Sequence, residues 1–251
     1  QQKLASVVAG ARPQDFTVQS LGNCAWAAAV LDEQHEGMHA ALEGALNSRF
    51  EEFLSGKEVY LGDVEDGDAT VYHELQELRQ VHQYLLSRRL SGSERSSSGG
   101  RGEVCRSVFE ARSRNRAASS ALQDRVEAVL REMGFRVRAE HVDAATGYSI
   151  DLKCTVSPEW LRKEGARARG QAGGDTFAVE VDGPAHFARP GCRRPLGKTM
   201  LKRAHLTRTG WQVVSIPFFE WNELEGREEK ERYLSNLFLQ AREQPSSAPP
   251  A

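Results

Sequence analysis

The sequence predicts an all-helical N-terminal half followed by a C-terminal half in which helices flank a mixed central β-sheet, an α+β or α/β arrangement. Three observations carry this prediction. Before residue 90, apolar residues recur at helical spacing. After residue 118, helix-period stretches alternate with strand-period ones. Between the two lies a Ser/Gly-rich run that has nothing to bury.

The N-terminal elements come first. "PQDFTVQSLGNCAWAAAVL" places Phe16, Leu21, Cys24, Ala25, Ala28 and Leu31 near one helical stripe. "HEGMHAALEGALNSRFEEFL" does the same with Met38, Leu42, Ala45, Leu46, Phe50 and Phe53. After an acidic loop, "GDVEDGD", a third helix runs through "VYHELQELRQVHQYLLSRR" with Tyr72, Leu75, Leu78, Val81, Leu85 and Leu86 inward. Helices with a single apolar face must pack on neighbours, so residues 1–90 read as a small bundle or as one or two helical repeats. Residues 91–118 read as a flexible linker, Ser/Gly-rich at "SGSERSSSGG" and then Arg-rich, with Arg101, Arg106, Arg112, Arg114 and Arg116 against Glu103 and Glu110.

The second half, residues 119–240, reads helix, three strands, helix, strand, helix. "SALQDRVEAVLREMG" is amphipathic, with Ser119 or Ser120 as N-cap and Gly134 as its stop. "FRVRAEHV", "YSIDLKCTV" and "TFAVEVDG" are strands. "LGKTMLKRAHLTRTG" is a basic helix, "WQVVSIPF" a fourth strand and "REEKERYLSNLFLQARE" a closing helix. Residues 241–251, with "QPSSAPPA", read as a disordered tail.

Bulk properties exclude several classes. Charged residues make up 27% and the net charge is -2, as for a soluble globular protein. No apolar run reaches the roughly 20 residues of a membrane helix. The four cysteines form no CxxC pair, which argues against a zinc site and a disulfide framework. A start at Gln1 rather than Met predicts a fragment or a processed form.

Two features carry chemistry. Glu180 and Asp182 lie two apart on one strand and share a face; if the strand holding Asp151 is adjacent, three carboxylates converge. Such acids persist where a divalent cation or a basic partner neutralises them, and Arg or Lys of the basic helix is the plain alternative to a metal. From Gly183 to Phe219 there is no Asp or Glu, but there are seven cations: Arg189, Arg193, Arg194, Lys198, Lys202, Arg203 and Arg208. That local field is the footprint of phosphate contacts, with Phe187 and Trp221 as base-stacking candidates. Trp211, opening a strand, reads as core.

"IDLK", "FAVEVDGPAHF", "LGKTMLKRAHLTRTGWQVVSIPFFEW" and "EEKERYLSNLF" occur in an order that resembles the RAP domain, an RNA-binding module. That domain is similar to restriction-endonuclease-like folds of the PD-(D/E)xK type. The resemblance implies that Asp151 and Glu180 match metal-binding acids, with Mg²⁺ or Mn²⁺ required only if the protein is a nuclease. The usual lysine is replaced by Asp182, so His186 or Lys202 would have to substitute as base or phosphate ligand. Without that lysine the site reads as a relic rather than as active Asp151–Glu180–Asp182–His186 chemistry. The helices before residue 90 are more weakly similar to repeats of octotricopeptide-repeat proteins and the Fas-activated serine/threonine kinase family, which implies that part of a longer array lies outside this chain. The resemblance implies an RNA-binding protein of the mitochondrial matrix or chloroplast stroma, acting on stability, processing or translation of mRNA or rRNA alongside ribosomal or RNA-processing proteins. The alternatives are a metal-dependent endoribonuclease and a structural component gripping RNA in an organellar ribosome.

Overall fold

The computed structural model describes residues 2–32, 34–54, 75–93, 99–114, 119–165, 175–189 and 191–243. The expected acidic loop and Tyr72 lie outside these residues. The chain divides into two compact units, Gln1–Asn115 and Arg116–Ala251.

The described part of the first unit is helical: α1 (Gln2–Ala9), α2 (Val18–Val30), α3 (Glu36–Leu54), α4 (Gln76–Leu90) and α5 (Gly99–Arg114), with a 3₁₀ turn at Pro13–Asp15. Thr17 caps α2 by accepting from the Ser20 amide at 3.0 Å. Most of each expected stripe is buried: Leu21, Ala25 and Ala28 on α2, Leu42, Ala45 and Phe50 on α3, Leu78 and Val81 on α4; Leu31 is the exception, 48% exposed because it is the C-cap where α2 ends. Gly22 lets α2 approach α4 closely. A Cβ there would meet Gln80 Oε1 at 2.9 Å and Glu77 Cα at 3.2 Å.

The linker reading fails over Gly99–Arg114. This segment is a helix that packs on α4 and buries Cys105, Val108 and Phe109. Those three residues fall at i, i+3 and i+4, so an apolar stripe overrides the Gly-rich, Arg-rich composition around it.

The second unit begins with α6 (Ala121–Glu132), capped by Ser120, whose hydroxyl accepts from the Gln123 amide at 3.1 Å. Then follow β1 (Arg136–Val142), β2 (Ser149–Thr155), α7 (Pro158–Lys163), β3 (Thr176–Asp182), α8 (Gly197–Arg208), β4 (Gln212–Pro217), α9 (Phe218–Glu223) and α10 (Gly226–Glu243). The sheet order is β1-β2-β3-β4; the first two pairings are antiparallel and β3–β4 is parallel. The short α7 and α9 are additional to the expected elements. Gly134 (φ +83°) and Gly210 (φ +93°) stop α6 and α8, because a side chain there would be strained.

The sheet separates two environments by its period of two. Phe177, Val179 and Val181 of β3 join Leu152, Cys154, Val214 and Ile216 in a core with Val126, Leu130, Trp221 and Phe238 from the helices. Ala178, Glu180 and Asp182 point the other way, toward α8. The expected tail boundary at residue 241 cuts into α10, which runs to Glu243, and residues 244–251 lie outside the described residues. Ala241 and Arg242 are buried parts of α10, and Arg242 pairs with Asp175 just before β3. Trp211 is half-buried rather than core; its indole N–H donates to Asp143 at 3.0 Å. Among the described residues no helix is long and apolar enough to cross a membrane.

Candidate nucleic-acid interface and a buried carboxylate cluster

β2 and β3 are neighbours, and Asp151 lies beside Glu180. Their ladder runs only from Thr155↔Thr176 to Leu152↔Val179. Beyond it the Asp151 side chain replaces the strand's backbone acceptor, with Oδ2 taking the Val181 amide at 2.8 Å. Gln123 donates to the Asp151 carbonyl at 3.2 Å and to Glu140 at 3.0 Å, and Ser149 donates to Glu140 at 2.9 Å. Glu140 has a left-handed backbone (φ +48°) and sits opposite this point. Side chains therefore satisfy the sheet where its ladder opens. Sequence reasoning did not single out Gln123 or Glu140, because neither carries a spacing signal.

The converging acids are neutralised by α8. The Lys202 ammonium contacts Glu180 Oε2 and lies 3.9 Å from Asp151 Oδ1. Arg203 Nη2 contacts Asp182 Oδ2, which also accepts from Ser215 Oγ at 2.6 Å. His186 Nδ1 donates to Asp182 Oδ1 at 2.8 Å from the 3₁₀ turn Pro184–His186. The two strand acids respond oppositely. Burial pushes the Glu180 carboxyl up to about 8; Lys202 pulls it down and the neighbouring Asp151 adds to the rise. Glu180 Oε1 is sealed from solvent with no hydrogen-bond partner among the described residues. Burial also opposes ionisation of Asp182, but the His186 hydrogen bond, the Arg203 charge and the Ser215 hydroxyl outweigh it. Its carboxyl lies below its ordinary value of 3.8.

This arrangement fits an ammonium better than a divalent ion. Lys202 takes the position between Asp151 and Glu180 that a metal would need, and all three acids already have partners. Among the described residues no group of three or more His, Cys, Asp or Glu side chains is placed to hold a metal. The plain alternative weighed from sequence, pairing with Lys and Arg of the basic helix, describes the geometry.

The same geometry sorts the seven cations. Arg189, Arg193, Arg194 and Lys198 are exposed and Arg208 is half-buried. Lys202 and Arg203 are turned onto the acids, with 16% and 25% of their side chains exposed. Lys198 and Lys202 are four apart, yet Lys198, one turn nearer the loop, is exposed while Lys202 is mostly covered. The loop itself is tied at its base by a Phe187↔Pro195 bridge, and the Ala188 amide donates to the Arg194 carbonyl at 3.1 Å. Both expected stacking residues are unavailable. Phe187 and Trp221 are 6% and 2% exposed, because one anchors the arginine loop and the other fills the core. His205, also on α8, is buried beside the Tyr148 hydroxyl at 3.2 Å.

Comparison with known proteins locates the similarity on these same elements. Residues 179–237 match the family model described as RAP domain. A stretch of 89 residues is 35% identical to "RAP domain-containing protein, chloroplastic" from Oryza sativa subsp. japonica, covering 34% of this chain and 14% of that protein. This chain thus corresponds to a small part of that relative's length. The family match begins within β3 and includes Glu180, Asp182, the arginine loop, α8, β4 and most of α10, but not Asp151. Across residues 179–237, this chain carries a RAP domain.

Proposed function

We propose that the chain binds RNA through the arginine loop and the first turn of α8, and that it acts in an organelle on the stability, processing or translation of mRNA or rRNA. The observation that carries this reading is the acid-free run 183–219, whose Arg189, Arg193, Arg194 and Lys198 are exposed inside the matched RAP segment. Phosphate contacts of this kind need no metal. An organellar setting, chloroplast or mitochondrion, is supported by the chloroplastic relative. Ribosomal or RNA-processing proteins are the partner classes this role implies.

The endonuclease-like reading of Asp151, Glu180, Asp182 and His186 receives less support. Lys202 and Arg203 occupy the oxygens of these acids and His186 is held by Asp182, so the cluster acts as the polar seat of α8.

The test is the salt dependence of RNA affinity. Combined Arg193→Glu, Arg194→Glu and Lys198→Glu substitutions should weaken binding strongly and reduce the slope of log K against log salt by about 0.7 per lost phosphate contact. Lys202 is left intact, since reversing it would disrupt the buried cluster. An unchanged slope would refute this interface.

A further inference from the structure

We propose that Phe219 and Arg193 form a stacking platform for one unpaired base, so that the RNA is taken up single-stranded; this rests on the RNA-binding reading above. Phe187, Phe218 and Phe219 form a triangle of edge-to-face rings, with centroids 5.2 Å apart for Phe187–Phe219, 5.8 Å for Phe187–Phe218 and 5.4 Å for Phe218–Phe219. Phe187 is the buried corner and fixes the other two, which remain partly exposed. The Arg193 guanidinium carbon lies 4.8 Å from the Phe219 ring centroid, over the ring. Arg193 is 70% exposed, and its ion pair with Glu223, at 3.4 Å, is equally open to solvent. Such a surface pair is weak, and an RNA phosphate can replace it.

The chemistry of this corner differs from that of the rest of the basic face. Arg189, Arg194 and Lys198 offer charge alone, which any phosphate chain satisfies. An arginine laid over a fixed aromatic ring offers flat π surface beside that charge. A base can stack on the guanidinium or take its place on Phe219, while the backbone stays on the neighbouring cations. A duplex keeps its base faces covered, so the platform selects unpaired RNA.

The experiment uses the full chain and a short single-stranded oligouridine carrying one 2-aminopurine, moved along the oligomer, with binding read by anisotropy and stacking by fluorescence quenching. Wild type should bind the single strand more tightly than the matching duplex and quench the probe at one or more positions. Phe219→Leu should weaken single-strand binding by about 5- to 150-fold, the equivalent of losing one stacked base. It should also abolish the quenching and leave the salt slope unchanged. Phe219→Tyr should behave as wild type, which separates loss of the ring from loss of packing if the leucine variant folds poorly. Wild-type binding without quenching at any position, or equal affinity for duplex, would overturn the platform while RNA binding stands. A folded Phe219→Leu that binds and quenches as wild type would do the same. Failure of wild type to bind RNA at all would overturn both readings.

Discussion

Replacing Asp182 by Asn should destabilise the C-terminal unit severely, whereas replacing Glu180 by Gln, two residues away on the same face, should not. Asp182 is fully buried and receives Arg203, Ser215 and His186 on its two oxygens. Asparagine would remove the charge and turn an amide against the Arg203 and Ser215 donors. Arg203 would then sit three-quarters covered with no counter-charge, and its Nε already lacks a partner among the described residues. Removing one member of a buried ion pair costs about 3–5 kcal/mol. The residual exposure of Arg203 places this case at the lower end, about 3 kcal/mol. For a unit of this size that corresponds to a fall in Tm of about 10 °C.

Glu180 is the opposite case. Its carboxyl is raised from 4.5 to about 8 by burial, so the folded chain holds a proton that the unfolded chain releases between those values. Its contribution to stability is intact below pH 4.5 and declines as pH rises toward 8. Gln reproduces the neutral acid, and Lys202 keeps Asp151 at 3.9 Å. Glu180→Gln should therefore gain on wild type as pH is raised from 5 to 8. Asp182 behaves conversely: its stabilisation is present above pH 3.8 and is lost as pH falls through its lower folded value. The deficit of Asp182→Asn should accordingly vanish in acid. Urea and thermal unfolding followed by tryptophan emission would report on this unit, because Trp160, Trp211 and Trp221 lie in it and only Trp26 lies outside. An Asp182→Asn variant melting within about 3 °C of wild type at neutral pH, or a Glu180→Gln variant losing ground as pH rises, would refute the reasoning.

Two other predictions concern the helical unit and the thiols. Gly22→Val should cost the N-terminal unit about 2–3 kcal/mol, seen as early loss of helical circular dichroism, because α4 backbone and the Gln80 side chain occupy the space a Cβ needs. Under native conditions a thiol reagent should label Cys192 first and Cys24 more slowly, with Cys105 and Cys154 protected. Burial raises the last two to about 12 and removes them from solvent, which mass spectrometry of the labelled peptides would check.

The sequence made β3 legible because alternation is a local property: Val179 and Val181 against Glu180 and Asp182 can be read without knowing any neighbour. Adjacency of Asp151 was legible only as a condition, since it depends on a strand pairing across more than 20 residues. The destination of Lys202 and Arg203 was visible as one of two options. Choosing between them required the position of α8 over the sheet, which helical period alone does not give. Phe187 and Trp221 show the same limit from the other side. An aromatic beside a basic loop looks like a stacking surface until packing decides which ring is buried, and here Phe219 remains partly open. Gly99–Arg114 misleads for a different reason: its Gly- and Arg-rich composition is that of a linker, while the Cys105–Val108–Phe109 spacing is that of a packed helix.

The division of the basic segment also explains why buried acids persist in a face devoted to anions. A strand exit that presented seven uncompensated cations would repel itself, and nothing would orient the helix carrying several of them. Glu180 and Asp182 draw in Lys202 and Arg203 at the middle of α8 and so fix that helix across the sheet. With its middle held, the first turn and the loop before it are left projecting, and their cations have no acid within the run 183–219 to fold back on. Arg193 reaches an acid beyond that run, Glu223, through a solvent-exposed contact that a phosphate can displace. On this view the carboxylates serve RNA recognition indirectly. Removing Asp182 should lower RNA affinity only to the extent that it releases α8, and the salt slope of the molecules that remain folded should match that of wild type.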